Sequence, residues 1–165
     1  MDEQSFLKML HEHQGIIHKV CRLYKESAED REDLFQEITY QLWKACPGYR
    51  SESKVSTWMY RVALNTALAS FRKRRPDIRY ETDLPDLPAA ERSEEQLYRQ
   101  ERLFILLKQL SEGERAIVAL YLDEMSHKEI AEVIGTTENN IAVKLNRIKN
   151  KLQKLQQHGT GTTKI

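Results

Sequence analysis

Residues 126–155 read SHKEIAEVIGTTENNIAVKLNRIKNKLQKL, a stretch that predicts a short helix, a glycine turn and a second helix whose last turns are basic. Ser126 is placed to cap the first helix, with Glu129 reaching back to close a capping box. Ile130, Ala131 and Ile134 supply its apolar face, and the small Ala131 lets another helix cross closely. Gly135 ends it, because a residue without Cβ enters the left-handed backbone region without a clash. Thr137 caps the second helix, and Glu138 sits near the positive end of its dipole. Ile141, Leu145, Ile148 and Leu152 recur at spacings of four and three, so one side of this helix is predicted to be buried. The other side carries Asn139, Asn140, Lys144, Arg147 and Lys151. Amides near the start of such a helix reach adenine edges, and the cations reach phosphate or guanine, so the pair predicts a helix-turn-helix that faces duplex DNA. The plainer reading is a helical hairpin with a solvated charged face.

The 165 residues suit one ordinary domain or two small ones, and 40% hydrophobic with 31% charged residues describes a soluble globular chain. No apolar run is long enough to span a bilayer, and Met1 to Leu10 lacks the apolar core of a secretory signal. The expected compartment is the cytoplasm, with no direct membrane insertion. Cys21 and Cys46 suit a reducing environment and read as packing residues. A formal net charge of +1 hides an uneven distribution. One basic cluster is Arg72, Lys73, Arg74 and Arg75; the other is Lys144, Arg147, Lys149, Lys151 and Lys154. Between them Pro76, Pro85 and Pro88 interrupt any helix amid a run of carboxylates. Residues 76–95 are therefore predicted to be an acidic flexible linker. Its charge either keeps the connector soluble or screens a basic surface when DNA is absent.

Everything before the linker, residues 1–75, reads as helical. Phe6, Leu10, Ile17, Val20, Cys21 and Tyr24 predict a first helix despite Gly15, and Leu34, Ile38 and Leu42 a second, from near Asp30 to before Pro47. Asp33 and Glu37 share a face of the second helix with Tyr40 nearby. No nucleophile, glycine cradle or metal cluster accompanies them, so a polar docking surface is favoured over catalysis, with plain solvated carboxylates equally consistent with the spacing. A third helix, capped by Ser56 or Thr57, runs as TWMYRVALNTALASFRKRR. Trp58 is either a stacking platform for an unpaired base or part of the core. The basic run behind it favours nucleic acid for this domain. After the linker, Leu97, Phe104, Leu107 and Leu110 predict a leading helix, a break follows at Ser111 to Gly113, and Ile117, Leu120 and Tyr121 mark another helix. The second domain is thus predicted over residues 96–158, with a disordered tail at 159–165. His11, His13, His18 and Cys21 suggest a metal site only weakly, because they lack a complete ligand geometry; ordinary surface or core roles are expected, with no metal and no cofactor.

The two halves together resemble bacterial RNA polymerase sigma factors of the sigma-70 family, extracytoplasmic-function (ECF) type. The first half carries the resemblance in DREDLFQEITYQLWKACPGYR and STWMYRVALNTALASFRKRR, the second in LSEGERAIVALYLDEMSHKEIAEVIGTTENNIAVKLNRIKNKL. It implies an all-α protein of two small helical domains, like sigma regions two and four, and no enzymatic activity of its own. The implied task is to bind core RNA polymerase, through its β′ clamp and β flap, and direct promoter recognition, DNA melting and initiation at a specific regulon. Asp33, Leu34, Gln36, Glu37 and Tyr40 match the helix that such factors place against the clamp. Arg50, Lys54, Ser56, Thr57, Trp58, Arg61, Asn65 and Arg72 to Arg75 (with Lys73 and Arg74 between) match the surface for the minus-ten element. Thr137, Glu138, Asn139, Asn140, Lys144, Arg147 and Lys151 match the helix that enters the minus-thirty-five major groove. An anti-sigma protein is a further implied partner. The chain departs from the family pattern at Asn140 to Leu145, where Thr-Val-Lys-Ser-Arg-Leu is frequent, and at Leu64 and Ala69, where arginine and aspartate are frequent. The alternative reading is a helix-turn-helix regulator that binds duplex DNA as a dimer without acting as a sigma factor.

Overall fold

Asp2 starts the first helix: its carboxylate accepts the Ser5 N–H at 2.8 Å, and α1 runs Glu3–Tyr24. The structure, a computed structural model, describes residues 1–73 and 93–162. Arg74 and Arg75, most of the expected linker and the last three residues of the expected tail lie outside them. The chain divides into two units, Met1–Asp86 and Leu87–Ile165.

In the first unit the turn after α1 is tied at both sides. Ser27 Oγ accepts the Asp30 N–H at 3.1 Å, opening α2 (Ala28–Ala45), while Arg31 Nε donates to the Lys25 carbonyl at 3.0 Å. A single 3-10 turn, Cys46–Gly48, then leads towards α3 (Val55–Lys73). The three helices pack on one another. Ile17, Val20, Ile38, Leu42, Met59 and Ala67 are almost completely buried at their centre, each large side chain contributing about 1.5–3 kcal/mol of burial. Met9, not Leu10, fills the apolar position on α1, where Leu10 is half-buried. Helix α1 runs unbroken through Gly15, where an added Cβ would meet open space.

Helix α3 begins earlier than expected. Its first turn starts at Val55, with the Trp58 N–H donating to the Lys54 carbonyl at 3.0 Å, so neither Ser56 nor Thr57 is its cap. Leu64 is buried; where the family pattern often carries arginine, this chain has a core residue.

In the second unit the described residues start at Ser93, whose capping box with Gln96 opens α4 (Glu94–Lys108). Two acidic residues assigned to the linker, Glu94 and Glu95, therefore belong to the first turn of a helix, where the dipole favours them. Ser111 and Glu114 form a second capping box and open α5 (Glu112–Leu122). Arg115 closes the end of α4 from there, donating to the carbonyls of Leu110 and Lys108 at 3.0 Å each. These are orphan acceptors that a helix end must otherwise give to water. Helix α6 (His127–Ile134) packs on α5 and on α7 (Glu138–Thr162), and Ile130, Ile141, Leu145 and Ile148 are buried between them. Tyr121, expected in this core, is instead 39% exposed, and the Lys149 ammonium lies 4.6 Å from its ring centroid. The helical backbone of α7 continues to Thr162, so residues 159–162 are helical where a disordered tail was expected. Among the described residues no helix is long and apolar enough to cross a membrane.

Candidate nucleic-acid interface

The turn that aims α7 is built as its sequence requires. Ser126 and Glu129 exchange backbone and side-chain bonds at 2.9 and 3.1 Å. Gly135 then takes φ +85° and ψ +42°, the left-handed conformation, in which an L side chain is strained by roughly 1–2 kcal/mol. Its N–H and that of Thr136 both donate to the Ala131 carbonyl, at 2.8 and 3.0 Å. Thr137 Oγ1 accepts the Asn140 N–H at 3.2 Å and so caps α7. The Thr137 hydroxyl therefore serves the helix start, and Asn140 Nδ2 is engaged with Thr136 Oγ1 at 2.7 Å.

With Ile141, Leu145 and Ile148 turned inwards, Glu138, Asn139, Asn140, Lys144 and Arg147 are all exposed. Val143 and Asn146, which carry no signal in the sequence pattern, share that surface; an isolated valine between polar residues gives no periodicity. Lys151 is exposed too, but its ammonium is 3.1 Å from Glu114 Oε1. The lysine expected on DNA thus also pairs with a carboxylate of α5. It lies thirteen residues beyond Glu138, about 20 Å along the axis at 1.5 Å per residue, past the N-terminal part of a recognition helix that reads bases.

Burial alone would raise the Glu114 carboxyl. Hydrogen bonds from Ser111 and the Lys151 ammonium together outweigh that, and the group lies below its ordinary value of 4.5. A carboxylate depressed in the folded state adds stability that is present above pH 4.5 and is lost as pH falls through the lower folded value. Glu114→Gln is therefore expected to flatten the loss of helicity as pH falls below the ordinary glutamate value of 4.5 in an acid titration followed by circular dichroism.

In the first unit, Asp33, Gln36, Glu37 and Tyr40 form one exposed stripe on α2 at spacings of three, one and three, opposite buried Leu34, Ile38 and Leu42. Glu37 accepts from Gln41 Nε2 at 2.9 Å. Leu34, expected among the docking residues, is only 3% exposed and belongs to the core: one residue after Asp33, it is turned about 100° away from it, on the edge of the helix that packs inwards. Trp43 extends the stripe, 43% exposed and set edge-on to Phe6 with ring centroids 4.9 Å apart.

A second surface surrounds the start of α3. The Tyr49 ring lies 4.8 Å from that of Trp58, and the Tyr49 hydroxyl donates to the Ser53 carbonyl at 2.9 Å. Ser51 has φ +58° between them. The loop is thereby pinned across the helix, and half-buried Trp58 has one ring face already covered. Arg50, Lys54, Arg61 and Asn65 are exposed, and Ser56 is half-buried. Thr57 is buried, so its side chain is not presented to a ligand. Arg72 and Lys73 belong to the last turn of α3.

Of the weak metal candidates, His18 and Cys21 take part in packing, while His11 is exposed. His18 stacks on Phe35 at 4.6 Å, with burial lowering its affinity for a proton, and burial pushes the Cys21 thiol up to about 12. A thiol held protonated is a poor ligand.

Comparison with known proteins accounts for both units. Residues 9–76 match the family model described as Sigma-70 region 2, and residues 101–152 that described as Sigma-70, region 4. The ECF RNA polymerase sigma factor SigM of Mycobacterium tuberculosis is 24% identical over 155 residues, covering 93% of this chain and 78% of its own. Among solved structures, the chain is similar to CnrH in its complex with the cytosolic domain of CnrY, with a TM-score of 0.70 at 20% identity, covering 95% of this chain and 90% of the other. It is also similar to the sigma factor RpoE of Bartonella quintana, solved with the anti-sigma factor NepR, with a TM-score of 0.69 at 18% identity, covering 94% and 96% of the two chains. The exposed cationic recognition helix and the paired region 2 and region 4 matches lead to one conclusion: the chain belongs to the sigma-70 family as an ECF sigma factor, which binds core RNA polymerase and directs promoter recognition without being an enzyme itself.

Proposed function

We propose that the three exposed surfaces divide the work of initiation at a specific regulon. Asp33, Gln36, Glu37 and Tyr40 dock the β′ clamp of core polymerase, and Trp43 widens that contact. Arg50, Lys54, Arg61 and Asn65, with the loop braced by Tyr49 and Trp58, take the minus-ten element as it melts. Asn139, Asn140, Lys144 and Arg147 enter the minus-thirty-five major groove while the second unit rests on the β flap. The observation that carries this reading is the alignment of every polar docking candidate on one exposed stripe of α2, with the apolar residues of the same helix buried behind it. The factor works in the cytoplasm, where polymerase and promoters are. An anti-sigma protein restrains it; two of its fold relatives were solved with a second protein bound.

Run-off transcription by core polymerase across a genomic fragment library tests the reading directly. Discrete transcripts that need this protein support it; folded protein that binds core yet yields none refutes it. Replacing Asp33 and Glu37 with alanine is expected to weaken core association about thirtyfold, since two hot-spot contacts of about 1 kcal/mol each add to about 2 kcal/mol. Duplex promoter binding by the free protein is expected to stay unchanged. The reverse pattern would move the docking surface elsewhere.

A further inference from the structure

We propose that Val143 reads the 5-methyl group of a thymine in the minus-thirty-five major groove, making promoter choice by this factor depend on a methyl contact. The inference rests on the reading of α7 as the minus-thirty-five helix and adds to it what that helix selects.

Val143 is 43% exposed although it lies in the second turn of α7 between buried Ile141 and Leu145. Two residues past buried Ile141, it is turned about 200° from the core at 100° per residue. It therefore occupies the outermost line of α7, the line that enters a groove most deeply. Asn139 stands four residues before it, and Asn146 and Arg147 three and four residues after; all three are exposed. An exposed valine alone needs no explanation. This one forms an apolar centre within a ring of hydrogen-bonding groups, on a helix with five lysines and arginines and a single carboxylate, Glu138.

The chemistry of that centre selects its ligand. A valine neither donates nor accepts, so it gains nothing from the carbonyl, amino or ring-nitrogen groups of bases. Among standard bases only thymine presents a methyl group in the major groove, while asparagine pairs with adenine N6 and N7. A β-branched side chain in a helix keeps one χ1 rotamer, so its two methyls are held in place before binding. From Asn139 to Asn146 the helix rises about 10 Å, or about three base pairs at 3.4 Å each. The geometry points to a thymine read by Val143 within a short run that also offers adenine to the flanking amides.

The test uses the full-length protein with core polymerase and duplexes carrying minus-thirty-five elements selected from a randomised library. Each thymine of the selected element is replaced in turn by deoxyuridine, which removes the methyl group and nothing else. At one position the wild-type protein is expected to bind about three- to fivefold more weakly, the scale of one buried methyl. Val143→Ala is expected to lose that sensitivity, and selection with Val143→Ser to relax thymine there. The inference is overturned if selected elements contain no thymine, if every thymine tolerates deoxyuridine, or if wild type and Val143→Ala lose equally. Those three outcomes leave the proposed function standing; a selection with no minus-thirty-five preference overturns the inference and the role of α7 together. Because deoxyuridine alters only the DNA, the wild-type result stands even if a variant folds poorly.

Discussion

Replacing Lys144 and Arg147 together with alanine is expected to weaken duplex promoter binding by about 2 kcal/mol or more, some thirtyfold. Both cations are exposed on α7 near its reading end, where Arg147 adds a planar fork suited to guanine or phosphate and Lys144 a point charge. Their removal has two readouts. Affinity falls, and the slope of log affinity against log salt decreases by about 0.9 for each phosphate that is no longer neutralised, close to 2 if both side chains bind the DNA backbone. A slope drop of about one with sharp loss of sequence preference would assign Arg147 to a base. Lys151→Ala provides the contrast: because this ammonium is held by Glu114, its removal is expected to change the salt slope little. Core association, which we propose the stripe on α2 carries, is expected to survive the double substitution. Unchanged DNA affinity with impaired core binding would reverse the assignment of the two surfaces.

Ile141→Ala is expected to cost about 2–5 kcal/mol, a large part of the roughly 4–10 kcal/mol available to a unit of some 70 residues. Ile141 is fully buried on the inner side of α7, and the vacated space adjoins Ile130 and Leu145 on helices held by short capped turns, which limits collapse. The outcome is measurable without separating the units. Both tryptophans, Trp43 and Trp58, belong to the first unit, so their emission reports that unit, whereas far-ultraviolet circular dichroism reports both. A lower denaturation midpoint in the helical signal with tryptophan emission unmoved locates the damage in the second unit. Wild-type stability in Ile141→Ala would show that the stripe at Ile141, Leu145 and Ile148 does not hold the recognition helix. Val143→Ala, at an exposed position two residues away, is expected to leave the midpoint unchanged.

Much of the second unit was legible because its signals are local. A capping box needs only Ser126 and Glu129, a left-handed stop needs Gly135, and a buried stripe needs hydrophobic residues at helical spacing. The recognition helix and most of its exposed face follow from those few residues. Ser93 carried an equally local signal that was obscured by its acidic surroundings: Glu94 and Glu95 look like linker until Gln96 is seen to complete the box. The docking stripe on α2 was partly legible. Asp33 and Glu37 share a face by spacing, but Leu34, next to Asp33 in sequence, is turned about 100° from it and into the core. A motif match transfers adjacent residues together; a helix separates them by 100° each.

By itself the sequence determined what short-range chemistry dictates: helical segments divided between two units, where most of them start and stop, and which face of α7 turns outwards. Tertiary structure decided which side chains are free to act, because burial and pairing depend on neighbours distant along the chain. It buried Thr57, drew Lys151 across to Glu114, placed Lys149 over Tyr121, and left Val143 exposed among the polar residues of α7. A helical period assigns each residue to a side of its own helix, and only the packing of the other helices determines whether that side meets core, ion pair or DNA.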